Sequence, residues 1–218
     1  MRTDELIVEL ARGVRPVRPL AAPMTRLARW TLAVVPVAAL GALLIGLRAD
    51  LQTVVDQPAF LALAAVALVM ALSSAAGAFL LSVPGAERSP LMRVVPIVAG
   101  LAWAAVWIAQ LAGGSDPVAR VLAMPVHVSC VLEIAGFGLL AGWPLVTMLR
   151  RAAPLQRDWS AALASLAAAA LGATATHFIC PVDDPAHQLV GHVAVVVLAS
   201  AAGALMARRS LDWRYTGS

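Results

Sequence analysis

The chain has 218 residues, 61% of them hydrophobic and 13% charged, with a net charge of +4 and a mean hydropathy of +0.85. A soluble domain is typically about 45–50% apolar and about 25% charged, and no soluble fold of this length could bury so much apolar surface without a large exposed patch. The pI near 10.4 does not imply direct nucleic-acid binding, because the arginines sit beside apolar stretches, where they fix topology and meet the anionic headgroups of membrane lipids.

Residues 1–25 read as a cytoplasmic N-terminal segment, and 26–218 as a six-span membrane domain with a short cytoplasmic tail. Residues 3–12 predict a short amphipathic helix. Thr3 stands at its N-cap, Asp4 and Glu5 face the positive end of the helix dipole, Arg12 the other end, and Gly13 can stop it. Leu6, Ile7 and Leu10 make its apolar face. A helix this short is marginal alone in water and needs a partner or a membrane surface. Surface helices usually carry Lys and Arg on the polar face, and this face is mainly acidic, which favours a protein partner. Arg15-Pro16-Val17-Arg18-Pro19-Leu20 then forms a stiff, extended connection.

A hydrocarbon core takes about 20 helical residues. The predicted spans are 27–47, 59–82, 91–112, 121–149, 160–180 and 187–207, an all-α bundle of six transmembrane helices. The first apolar stretch begins too late and is too long for a signal peptide, so it reads as a retained anchor. Pro36, Pro96, Pro125 and Pro144 are expected to kink their helices or lie near helix ends. Runs such as 71–78, 167–170 and 199–204 are rich in Ala, Gly and Ser, which let helices approach closely. No internal repeat of the inverted-transporter kind is visible.

All sixteen basic residues are arginine, and fourteen fall at the chain ends and in alternate gaps between spans; the remaining gaps hold only Arg48 and Arg120. Basic residues concentrate on the cytoplasmic side of spanning proteins. Both termini are therefore expected in the cytoplasm.

The polar exceptions gather late in the chain. His127, His177, His187, His192, Cys130 and Cys180 all lie in spans four to six or the gap between five and six. With the N-terminus inside, both cysteines fall near the periplasmic face. Three readings stand: a redox pair on neighbouring antiparallel helices, in an oxidising compartment; a zinc or copper site from two HxxC turns, His127 with Cys130 and His177 with Cys180; or two inert small hydrophobes. Glu133 is the lone acid inside a predicted span, three residues after Cys130. An intramembrane carboxylate usually faces the bundle interior, for function or as a hydrogen bond between helices. Cys180-Pro181-Val182-Asp183-Asp184-Pro185 reads either as a tight exposed loop of turn formers or as a mouth that exposes Cys180 to periplasmic oxidants or ions.

The chain resembles the NrsF-type membrane anti-sigma factors, negative regulators of extracytoplasmic-function sigma factors in proteobacteria. The features that carry the likeness are Thr3, Leu6 and Ile7; Pro16, Val17 and Leu20; Arg48-Ala49-Asp50-Leu51 after the first span; a cysteine in the fourth span; and Cys180-Pro181 after the fifth. The resemblance implies that the N-terminal segment holds a cognate sigma factor at the inner membrane, and that the cysteines take part in its release. Val182 departs from the pattern by standing between Cys180-Pro181 and the aspartates. A small transporter or channel using Glu133 and the histidines is the other reading. No spacing matches a nucleophile elbow or a zincin motif, so an enzyme is not expected, and no cofactor is called for outside the metal alternative.

Overall fold

A computed structural model describes residues 2–12, 19–83, 90–125 and 127–211. Gly13, the Arg15-to-Arg18 connection, the Pro84-Gly85 boundary, Arg88 and Arg214 lie outside the described residues.

Among the described residues the chain is all helical, with six helices long and apolar enough to cross a membrane, the makeup of a multi-pass membrane protein. The short helix α1 (Thr3–Arg12) comes first. Arg2, not Thr3, occupies the N-cap place, and its backbone N–H donates to the Glu5 carboxylate. Glu5 thus makes the return half of a capping box. No residue of α1 is buried.

The spans are α2 (Pro23–Ile45), α4 (Pro58–Leu80), α5 (Leu91–Ala112), α7 (Val128–Arg150), α8 (Arg157–His177) and a composite last span. That last one runs from α9 (Pro185–Gln188) through a π-helical turn (Leu189–Val193) into α10 (Ala194–Leu205), followed by α11 (Ala207–Ser210). Short helices α3 (Leu51–Val54) and α6 (Pro117–Ala123) precede α4 and α7. Pro36, Pro96 and Pro144 sit inside helices.

The expected fourth span, 121–149, is broken near its start. Met124, immediately before Pro125, is extended at φ −70° and ψ 118°, because the proline ring disfavours helical backbone at the preceding residue. The segment 121–123 therefore closes α6, and the span proper begins at Val128.

Helix α8 is the hub, packed against α4, α7 and α10. It is the least apolar of the six spans and the most buried. Its alanines make this possible, since small side chains let backbones approach where lipid gives no hydrophobic drive. A Cβ on Gly172 would stand 2.5 Å from the Ile134 carbonyl oxygen, and one on Gly77 2.5 Å from that of Met92. Trp30 ties α2 to α7 by donating its indole N–H to the Ala141 carbonyl at 2.9 Å. The other spans turn rows of large apolar residues outward, among them Leu32, Leu44, Leu101 and Leu139, as lipid-facing helices do.

One end of the bundle gathers the segments 46–57, 113–125 and 178–184; the other gathers the start of α2, the end of α4, the start of α5 and the α7–α8 turn. Arg48 and Arg120 lie at the first end, whereas Arg26, Arg93, Arg150 and Arg157 lie at the second.

Candidate functional site: a buried cysteine and histidine cluster

The first end is held by its few charges. The Arg48 side chain is fully enclosed and donates to both carboxylate oxygens of Asp50, at 2.7 and 2.9 Å, and of Asp183, at 2.9 and 2.6 Å. These partners keep the guanidinium charged, holding its pKa above the usual value, and the Arg48 guanidinium holds the Asp50 carboxyl below the usual range. The Arg48 backbone N–H donates to the Phe178 carbonyl. Arg120 pairs with Asp184 at 2.6 Å. Asp184 in turn caps α9 by accepting from the Ala186 and His187 amides, and Gln188 donates to the Val182 carbonyl at 2.7 Å. The loop 181–184 is thus fixed on both sides, and it sets where Cys180 and His187 stand.

Cys130, in the first turn of α7, and Cys180, just past the end of α8, place their sulfurs 3.5 Å apart, both free and both buried. The topology expected from the sequence brings them together across 50 positions. His187 Nε2 lies 3.3 Å from the Cys180 sulfur and 3.7 Å from that of Cys130. His192 completes the group: one donor atom from each of the four side chains lies within 4.8 Å of every other. Burial pushes the Cys180 thiol upward, with the nearby Cys130 and Glu133 acting in the same direction.

Two of the sequence expectations are placed differently. His177 ends α8 and turns to Phe60, stacking on its ring at 4.3 Å with Nε2 3.3 Å from the Phe60 carbonyl oxygen. It belongs to the Arg48 and Phe60 cluster, not to the sulfur pair. Cys180 does not share a helix face with it, because the helix stops between them and the Cys180 amide closes a turn onto the Thr176 carbonyl. His127 sits at the N-cap of α7, one ring further out, edge-on to His187 at 4.5 Å. Glu133 lies on the next turn of α7, half-buried, with one carboxylate oxygen enclosed and without a hydrogen-bond partner among the described residues. Leu6, Ile7 and Leu10 remain exposed on α1.

His187 and His192 were not paired by sequence reasoning. A spacing of five does not share an α-helical face, since the helix repeats every 3.6 residues. The π turn at Leu189–Val193 is what brings them together, and single π turns are frequent at functional sites.

The family model described as negative regulator of sigma F, NrsF, matches residues 10–213, nearly the whole chain. The match begins inside α1, so Leu6 and Ile7 precede it. No curated protein matches the chain, and no solved structure does.

Proposed function

We propose, from the premise that this chain belongs to the NrsF family of negative regulators of sigma F, that it holds an extracytoplasmic-function sigma factor at the bacterial inner membrane and releases it on a signal. In this reading the termini are cytoplasmic, residues 1–25 carry the partner contact, and Cys130 and Cys180 receive an oxidative, envelope or metal stimulus from the periplasmic side. The family is regulatory rather than enzymatic.

The observation that carries the reading is α1. Its Leu6, Ile7 and Leu10 are 40%, 59% and 65% exposed, and no residue of the helix is buried against the bundle. An amphipathic helix left outside its own fold is suited to helix-in-groove recognition, where apolar anchors dominate. The arginine asymmetry supports the orientation. The transporter reading draws less support. A groove of about 620 Å³ between α7, α8 and α10 is lined by apolar and small side chains, with Ser165 its polar exception, and includes neither Glu133 nor a histidine.

The test is co-purification from native membranes. The intact chain retains a sigma factor, and Leu6→Asp with Leu10→Asp removes it while membrane insertion is unchanged. Retention that survives the double substitution moves the contact to the arginine-bearing loops. Absence of any sigma factor from the intact chain, with ion flux in liposomes, favours the transporter.

A further inference from the structure

The buried cluster holds more donors than a sulfur pair needs, and they are arranged around a point. A tetrahedral zinc site with bonds of about 2.3 Å to sulfur and about 2.0–2.1 Å to nitrogen puts its two sulfurs about 3.8 Å apart, and each sulfur about 3.5 Å from a ring nitrogen. The corresponding separations here are 3.5 Å between the sulfurs and 3.3 and 3.7 Å from them to His187 Nε2. Three of the four corners therefore already stand at coordination spacing.

The fourth corner is marked independently. His192 is 1% exposed, and its Nε2 is buried with no hydrogen-bond partner among the described residues. A buried polar atom without a partner is an uncompensated cost. The same side chain reaches the cluster through a π turn, a backbone form rare enough to need a reason. A ligand bond to His192 accounts for both.

We propose that Cys130, Cys180, His187 and His192 form a tetrahedral Cys₂His₂ site for a zinc-class divalent cation. Charge selects the class. Two thiolates and two neutral imidazoles around a divalent ion are neutral together, which suits a buried pocket beside the enclosed carboxylate oxygen of Glu133. A monovalent ion would leave a net negative site next to that oxygen. The four ligands come from α7, from the segment after α8, from α9 and from within the π turn, so a bound ion ties three spans at one end. Occupancy of the site does not depend on capture of a sigma factor; only its use as the signal rests on that reading.

The experiment uses the full chain, reduced and metal-stripped, in detergent, with Co²⁺ as the optical probe. The visible bands of tetrahedral, thiolate-bound cobalt are expected to appear and to be displaced by one Zn²⁺ per chain. His192→Gln and His187→Gln each weaken Zn²⁺ binding at least about tenfold, and His177→Gln leaves it unchanged. Helical content measured on each variant separates lost ligation from lost folding, and Zn²⁺ protection of the two thiols from alkylation in the intact chain gives a readout that needs no variant. A folded chain that shows no tetrahedral cobalt bands and no protection overturns the site. So does Zn²⁺ binding that is lost in His177→Gln and kept in His192→Gln. Binding of Cu⁺ alone, unchanged when both His187 and His192 are replaced, marks a two-thiolate site and overturns the four-ligand assignment. None of these outcomes decides whether the chain retains a sigma factor, which is read separately.

Discussion

Arg26 and Arg48 are both buried, they stand at opposite ends of the bundle, and each lies over a phenylalanine of α4. Phe79 near the end of α4 is 5.1 Å from the Arg26 guanidinium carbon, and Phe60 near its start is 5.6 Å from that of Arg48. The resemblance stops there. Arg48 donates to two carboxylates. Arg26 donates from one nitrogen to the Phe79 carbonyl and the Ser82 hydroxyl, and its Nε and the other terminal nitrogen have no partner among the described residues. The first end therefore pairs its buried arginine fully, beside a cluster of thiols and imidazoles in which His192 Nε2 has no partner among the described residues. The second is left with unsatisfied donors beside the segment that presents an uncovered helix. In the proposed reading, the first end would receive the signal and the second would hold the partner.

The comparison breaks most severely if the helix shared by both ends is disturbed. Gly172→Leu forces a side chain where a Cβ already meets the Ile134 carbonyl at 2.5 Å. Overpacking of this kind costs about 1–3 kcal/mol or more, so a large fall in detergent-solubilised thermal stability is expected, with Cys130 and Cys180 alkylated faster. Unchanged stability would mean that α7 and α8 can separate freely.

Arg48→Met sharpens it. Removing one side of a buried pair typically costs about 3–5 kcal/mol, but Asp50 and Asp183 are 48% and 49% exposed, and water can take back much of that charge. A loss of about 1–2 kcal/mol remains, and the 178–184 segment loosens, seen as faster alkylation of Cys180 with sigma-factor retention unaltered. Arg26→Met is the smallest effect: a buried cation with unpaired donors is replaced by an apolar chain of similar length, which is often neutral or stabilising, so stability within about 1 kcal/mol of the parent is expected. A large loss there would assign Arg26 a carboxylate partner.

Much of the fold was legible because lipid imposes a length. Five of the six spans lie within a few residues of their apolar windows, and the expected cluster of Cys130 with Cys180 follows from antiparallel neighbours. The start of span four was misplaced since hydropathy alone runs through Met124-Pro125 without registering that the backbone cannot. Within the cluster, spacing misled where a regular helix was assumed: HxxC pairs His177 with Cys180 only if α8 continues past His177, and it does not. The partner His192 was hidden for the converse reason, as five residues share a face only through a π turn. The pairing of Arg48 with Asp183 spans 135 positions; composition marks Arg48 as exceptional in its gap but cannot name its partner.

The hub helix has a consequence for how the protein is made. Between Arg157 and His177 there is no Ile, Val or Phe, and Leu163, Leu166 and Leu171 are its only leucines. Those four residue types supply most of the free energy that carries a segment from the translocon into lipid, so α8 is a weak insertion sequence. Its neighbours α4 and α7 emerge from the ribosome first, and α10 last. Integration of α8 is therefore expected to wait on contact with helices already in the bilayer, making the most central element of the finished bundle the one least able to enter the membrane unaided.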